Sequence, residues 1–255
     1  MYQVLARVTD NKKIAENIHL LEFEAPVIAG VIKPGQFLNL RVNDNLFPLL
    51  RRPFSICEVK GDRISVMFNV TGEGTKILAQ KKQSDVVDIL GPLGKGFTLN
   101  FEEKTVIIIA GGLGAAPFPY LTKELQNSGK EIFTVIGGRS SRDIIKYGLT
   151  NLYIVTEDGS EGMRGNVIDC YNNTLSNILS GTKFRVLTCG PNGMLRALKN
   201  YFSQEGMIIE ASVESAMACG FGICQGCPIE HAESPDAYKL ICKDGPVFNL
   251  HEITI

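Results

Sequence analysis

The 255 residues carry 26 lysines and arginines against 27 aspartates and glutamates, a net charge of −1 that excludes the basic field needed for non-specific nucleic-acid binding. At 44% hydrophobic and 21% charged, the composition is that of an ordinary globular protein, and no apolar run approaches the roughly 20 residues of a membrane helix. The opening MYQVLARVTDNKK lacks the apolar core of a signal peptide, so a cytoplasmic location is expected, with neither nucleic acid nor membrane as partner.

Residues 1–99 read as short strands at Tyr2–Val8, His19–Glu24, Gln36–Val42, Phe54–Val59 and Ile64–Val70, broken by turns such as Lys33-Pro34-Gly35 and Lys60-Gly61-Asp62. This spacing predicts a small antiparallel barrel, interrupted by one helix near Gly74–Lys81. Residues 100–208 change pattern. Apolar strands at Thr105–Ala110, Ile132–Ile136, Leu152–Val155 and Phe184–Cys189 alternate with helices, one ending near Leu125 and one at Met194–Phe202. That alternation predicts an α/β unit with a parallel sheet covered on both faces. Residues 209–255 form a short cysteine-rich segment, too small to bury a core unaided.

Within the barrel, Arg51-Arg52-Pro53-Phe54-Ser55 opens a strand. Arginine can pair with a pyrophosphate oxygen, proline fixes the approach of the chain, and Ser55 can donate toward a flavin ring edge. The bland reading is an arginine and proline that only shape a strand entrance. Gly72-Glu73-Gly74-Thr75, about 20 residues on, starts the predicted helix, where free N–H groups attract phosphate and raise the flavin reading.

Gly111-Gly112-Leu113-Gly114-Ala115-Ala116-Pro117 follows a buried strand and precedes a helix, the context of a nucleotide loop, although Pro117 stands where a third glycine is usual. A tight turn without a ligand is the alternative. Cys189-Gly190-Pro191-Asn192-Gly193 ends a later strand, so both loops are expected to face one crevice at the sheet's carboxyl edge. Cys189 is either a nicotinamide contact or a core thiol. Gly137-Gly138-Arg139-Ser140-Ser141-Arg142 offers no acidic residue directly after the second strand, which leaves NAD against NADP open.

Of seven cysteines, Cys219, Cys224, Cys227 and Cys242 crowd the last 40 residues with the spacing C-x4-C-x2-C-x14-C. This is a plant-type [2Fe–2S] pattern, three thiolates in one loop and a distant fourth. Gly220, Gly222 and Gly226 between them permit close backbone approach to the sulfides. Zinc is the rival, weakened by the single C-x2-C knuckle. Four unrelated thiols is the plainest alternative. Pro228, after the third ligand, removes one N–H donor. His19, His231 and His251 are scattered, no catalytic acid–base constellation stands out, and Glu210 and Glu214 read as solvated or structural.

Taken together, Leu50–Ser55, Gly72–Thr75, Gly91-Pro92-Leu93-Gly94, the Gly111 loop, Cys189-Gly190-Pro191, Met217–Cys227 and Cys242-x-x-Gly245-Pro246-Val247-Phe248 resemble the electron-transfer subunits of bacterial dihydroorotate dehydrogenase B, within the ferredoxin-reductase-like superfamily. The resemblance covers essentially the whole chain. It implies FAD contacts from Arg52, Pro53, Phe54, Ser55, Met67, Phe68, Asn69, Gly74 and Thr75, with Asn69 standing where the family commonly has arginine. NAD(P) contacts then fall to Gly111, Gly112, Gly114, Cys189, Gly190 and Pro191, and one [2Fe–2S] cluster to the four cysteines. It also implies an FMN-containing catalytic partner that oxidises dihydroorotate in pyrimidine biosynthesis, in a heterotetramer of two of each subunit. Electrons would pass from that FMN through the cluster and FAD to NAD+. Rival expectations are the small subunit of an NAD(P)H–ferredoxin or sulfide-type oxidoreductase, or a cluster-based redox sensor.

Overall fold

Side chains that alternate along a strand point to opposite faces, so the N-terminal strands can share one interior only by curling round it. The computed structural model describes residues 1–203 and 206–255. In it β1 (Tyr2–Ala15), β2 (Ile18–Glu24), β3 (Phe37–Arg41), β4 (Arg52–Lys60), β5 (Arg63–Asn69) and β6 (Val86–Leu93) close an antiparallel barrel in the order β1-β2-β5-β4-β3-β6. Phe23, Ile56, Ile64 and Phe68 fill its interior. The helix Glu73–Ala79 lies between β5 and β6. The first strand runs past its expected end, with a register shift after Val8. β6 is absent from the sequence-based strands because Gly91-Pro92 reads as a turn. Yet Val87, Ile89, Gly91 and Leu93 alternate inward.

The second unit is a sheet of β7 (Thr105–Gly111), β8 (Glu131–Gly138), β9 (Leu152–Thr156), β10 (Met163–Arg164), β11 (Phe184–Cys189) and β12 (Ile209–Ser212). Beyond the hairpin β13 (Pro228–His231) and β14 (Ser234–Leu240), β15 (Val247–Asn249) completes it. The order is β10-β9-β8-β7-β11-β12-β15, all parallel except the edge pair β12–β15. Val106 through Ala110 are fully buried, as a strand covered on both faces demands. Helices Phe118–Asn127 and Asn192–Tyr201 follow the two glycine loops. The segment after residue 208 gives this sheet two strands, because Ile209–Ser212 is buried at every position and pairs with β11.

Polar contacts join the units at several points, Arg142 with Glu16 at 3.5 Å among them. Tyr120 donates to the Ile32 carbonyl at 3.2 Å and Tyr147 to Glu58 at 2.8 Å. The Lys95 N–H reaches the Gly245 carbonyl at 2.5 Å. A Cβ on Gly94 would lie 2.5 Å from that same carbonyl, so the barrel's exit meets the cysteine segment at a spot that only glycine fits. No helix among the described residues is long and apolar enough to cross a membrane.

Candidate functional site

The flavin motif occupies a place where the barrel opens. β4 pairs with β5 only from Ile56↔Val66 onward, while its first residues pair with β3 through Phe37↔Ser55 and Asn39↔Pro53. Beyond that divergence the main chains of Arg52–Ser55 and of Met67–Asn69 face a slot. Met67 and Phe68 are 3% and 1% exposed, so their side chains belong to the cores and only their backbone is offered to the slot. Phe54 tilts against Phe68 at 5.5 Å between ring centroids. Asn69 Oδ1 is buried with no partner among the described residues, an acceptor that a ligand's N–H or hydroxyl would satisfy.

The second flavin element lies beside the first. A Cβ on Gly74 would sit 3.0 Å from Arg52 Nε, so the guanidinium crosses the start of the helix Glu73–Ala79. Arg52 also donates to the Leu50 carbonyl. The Thr75 hydroxyl accepts from the Thr71 and Gly72 N–H groups at 3.0 and 3.1 Å, so it is engaged by its own turn. The arginine and the turn present one cationic, N–H-rich spot suited to a pyrophosphate.

Gly111, Gly112, Gly114, Gly190 and Pro191 line a single cleft of about 1100 Å³ at the carboxyl edge of the sheet. The close fit of the two loops explains their glycines: a Cβ on Gly114 would come 2.2 Å from the Cys189 carbonyl oxygen, and one on Gly111 2.9 Å from Met194 Sδ. Cys189 itself is 2% exposed and lies beneath the cleft, its thiol pushed up in pKa by burial and the nearby Glu214. Arg139, Asp143 and Glu157 lie at the cleft's other end. Asp143 accepts the Arg139 and Ser140 N–H groups at 3.0 and 3.1 Å. Glu214, which the sequence suggests is solvated or structural, is exposed where it lines the cleft, and partial burial raises its carboxyl above the usual range.

The cysteine loop folds against the barrel. Cys227 and Cys242 are 2% exposed, Cys219 is partly exposed and Cys224 is open to solvent. The thiols stand as two pairs: the Cys224 N–H reaches Cys219 Sγ at 3.4 Å, and the Cys242 N–H reaches Cys227 Sγ at 3.5 Å. Among the described residues no three of them close on one point as a single ion's ligands would. Burial opposes ionisation of Cys219, yet N–H donors from Cys224, Phe221 and Ile223 outweigh it and bring the thiol down to about 6. Cys242 is pushed up to about 12 by burial and the adjacent Cys227. Gly220 and Gly222 take φ of +80° and +93°, the left-handed turns that aim those N–H groups inward. Four thiols, a thiolate ringed by N–H groups and one exposed ligand suit an iron–sulfur cluster. Pro228 begins β13, opposite Leu240.

Two features of the site carry no sequence signal. Asn39, deep in β3, donates to the Cys219 carbonyl at 3.0 Å. The β3–β4 loop leaves Leu46, Phe47, Leu49 and Leu50 between 48% and 85% exposed, and Ile223 in the cysteine loop is 77% exposed.

Residues 214–254 match the model of the iron–sulfur cluster binding domain of dihydroorotate dehydrogenase B. The whole chain is 37% identical over 259 residues to a Bacillus velezensis dihydroorotate dehydrogenase B (NAD+) electron transfer subunit, covering 97% of both. The Bacillus cereus counterpart is 36% identical over 260 residues, again covering 97% of each chain. Among solved structures, an NADH-dependent reduced ferredoxin-NADP oxidoreductase aligns at TM-score 0.83 and 26% identity, covering 98% of this chain and 90% of that one. A Neisseria gonorrhoeae ferredoxin NADP+ reductase with bound FAD and NADP aligns at 0.67 and 16%, covering 83% and 99%.

Proposed function

The chain belongs to the family of dihydroorotate dehydrogenase B electron transfer subunits, and from that premise we propose that it binds FAD, one [2Fe–2S] cluster and NAD(P). It carries electrons from the FMN of a dihydroorotate-oxidising partner through the cluster and FAD to NAD+. The observation that carries this reading is that one chain holds three sites: the cysteine loop bonded to the outer wall of the barrel, the flavin slot on the next strand, and the two-loop cleft of the sheet. When bound, the flavin exchanges two electrons with nicotinamide and single electrons with the cluster.

The protein's part is placement. Arg52 and the Gly72–Thr75 turn take the flavin's pyrophosphate, while Pro53, Phe54, Ser55 and the backbone of Met67–Asn69 fix the ring. Gly111, Gly112, Gly114, Gly190 and Pro191 admit the nucleotide backbone. Cys219, Cys224, Cys227 and Cys242 hold the cluster, with Cys224 at the surface where a second protein can come within tunnelling distance. Ile223 beside it, and the apolar loop Leu46–Leu50 on the barrel, are exposed apolar surface that suits a protein partner rather than water. The assembly proposed holds two copies of each subunit.

The test is to isolate the native assembly and identify its components. A second polypeptide carrying FMN, with dihydroorotate-dependent bleaching of bound FAD and reduction of NAD+, is the expected result. A partner without FMN and inert to dihydroorotate overturns the substrate assignment. A second reading, a subunit serving a ferredoxin-type partner, is favoured by the 0.83 alignment with the ferredoxin-NADP oxidoreductase. In that case a small iron–sulfur protein, and not dihydroorotate, reoxidises or reduces the chain.

A further inference from the structure

We propose that Asn39 is the positioning residue that ties the cluster loop to the flavin strand and sets electron exchange between them; this rests on the cofactor assignment made above. Its neighbours Leu38 and Leu40 point into the barrel core, so Asn39 faces outward, yet it is only 1% exposed. A carboxamide buried there is costly unless it is bonded. Its Nδ2 donates to the carbonyl of Cys219, 180 residues away in sequence, at 3.0 Å; only the NH2 end can face a carbonyl. Its cross-strand neighbour is Pro53, at the centre of the flavin motif, and its own carbonyl receives Arg51 Nη1 at 3.4 Å. One side chain therefore stands between the first cluster ligand and the strand that borders the flavin slot.

The loop is shaped to this contact. A Cβ on Gly220 would come within 2.0 Å of Asn39 Nδ2, and Gly220 takes a φ of +80°. Fixing the Cys219 carbonyl against the barrel leaves the Cys224 N–H turned toward the Cys219 sulfur at 3.4 Å. Without the anchor that carbonyl is free to rotate, and the N–H aimed at the Cys219 sulfur rotates with it. Hydrogen-bonded partners just outside the ligands tune a metal centre in this way. A purely packing role would be filled by leucine, as at the neighbouring positions of β3. Asn39 Oδ1, by contrast, stays buried without a partner among the described residues, so the amide is retained for its donor end.

The experiment uses the full chain with FAD and cluster in place, comparing Asn39→Asp, which keeps the shape but replaces the donor by an acceptor, with Asn39→Ser, smaller and neutral. Two quantities are read: the electron paramagnetic resonance spectrum of the reduced cluster, and the ratio of cluster to flavin reduction rates after mixing with NADH. The expected result for Asn39→Asp is a changed spectrum and a ratio lower by about tenfold or more, with Asn39→Ser intermediate. Loss of iron with FAD retained also supports the role. Parental spectra and ratios in cluster-loaded variants overturn it. So does loss of both FAD and fold in the two variants, which would make Asn39 a barrel-folding residue. If the parent chain itself lacks iron, flavin or NADH reduction, the cofactor assignment fails instead.

Discussion

The parallel sheet and the cysteine segment beside it are held by opposite means. In the sheet, Ile107, Ile108, Ile109, Val186 and Leu187 are wholly sealed between two layers of helix and barrel. Between Glu214 and Tyr238, most described side chains touch water, and Cys227 is one of the few buried. The sheet's order comes from apolar burial, the segment's from strand pairing at β12 and β15, the Asn39 and Gly245 contacts, and its thiols. A region with so little core depends on its ligated centre, whereas a sealed region depends on fit. Substitutions should therefore fail differently in the two.

The largest effect is expected at Cys242. Cys242→Ser, or removal of iron from the parent chain, abolishes the cluster's visible absorption and opens residues 214–244 to protease, while FAD stays bound to the barrel. Equal protection with and without iron would break the contrast. Next comes the buried ion group at the far end of the sheet, where Arg185 lies 3.4 Å from both Glu210 and Glu103 and 4.3 Å above the Phe101 ring. Glu210→Ala removes one partner of that arginine and the acceptor of the Thr98 N–H. The expected cost is about 3 kcal/mol, read by denaturant unfolding. A cost near zero would mean that Glu103 alone satisfies the arginine.

Third is the fit of the glycine loops. Gly114→Ala drives a methyl into the Cys189 carbonyl, costing about 1–3 kcal/mol and weakening NADH binding by about tenfold, which a titration followed by flavin bleaching measures. Gly193→Ala, with open space around the new carbon, leaves stability unchanged. If both behave alike, the two loops are not the packed unit their contact describes.

The same contrast explains what the sequence reveals. The cysteine spacing identifies the ligand set because metal chemistry fixes it locally, and the continuous run Thr105–Ala110 identifies a buried strand because burial on both faces leaves no alternation. β6 escapes because Gly91-Pro92 is locally a turn signal, overridden by barrel closure. Ile209–Ser212 escapes because four residues carry too little pattern to reveal a sheet strand. The placements of Asn39 and Glu214 are hidden for a different reason: each depends on an encounter between distant segments, residue 39 with 219 and residue 214 with the glycine loops, that only the topology creates. The exposed Leu46–Leu50 run reads as apolar in sequence, but nothing in its pattern says that it stands in solvent.

The smallest effect lies where the two cores meet. Tyr147, from the sheet unit, donates to Glu58 of the barrel at 2.8 Å, and Lys60 holds the same carboxylate oxygen at 2.7 Å. Tyr147→Phe leaves Glu58 with its lysine, so the loss is one hydrogen bond, about 1 kcal/mol. Burial, reinforced by that bond to Glu58, raises the Tyr147 hydroxyl above its usual range. A folded-state pKa above the unfolded value means that the stabilisation is complete below about pH 10, the ordinary tyrosine value, and is lost as pH rises toward the folded one. The parent should therefore exceed the Phe variant by a constant margin at neutral pH, and that margin should shrink under strong alkali. Unfolding curves for both proteins at pH 7 and in alkali check it. A margin that persists unchanged through the alkaline range would mean that the ring's packing, and not the hydroxyl, joins the two units.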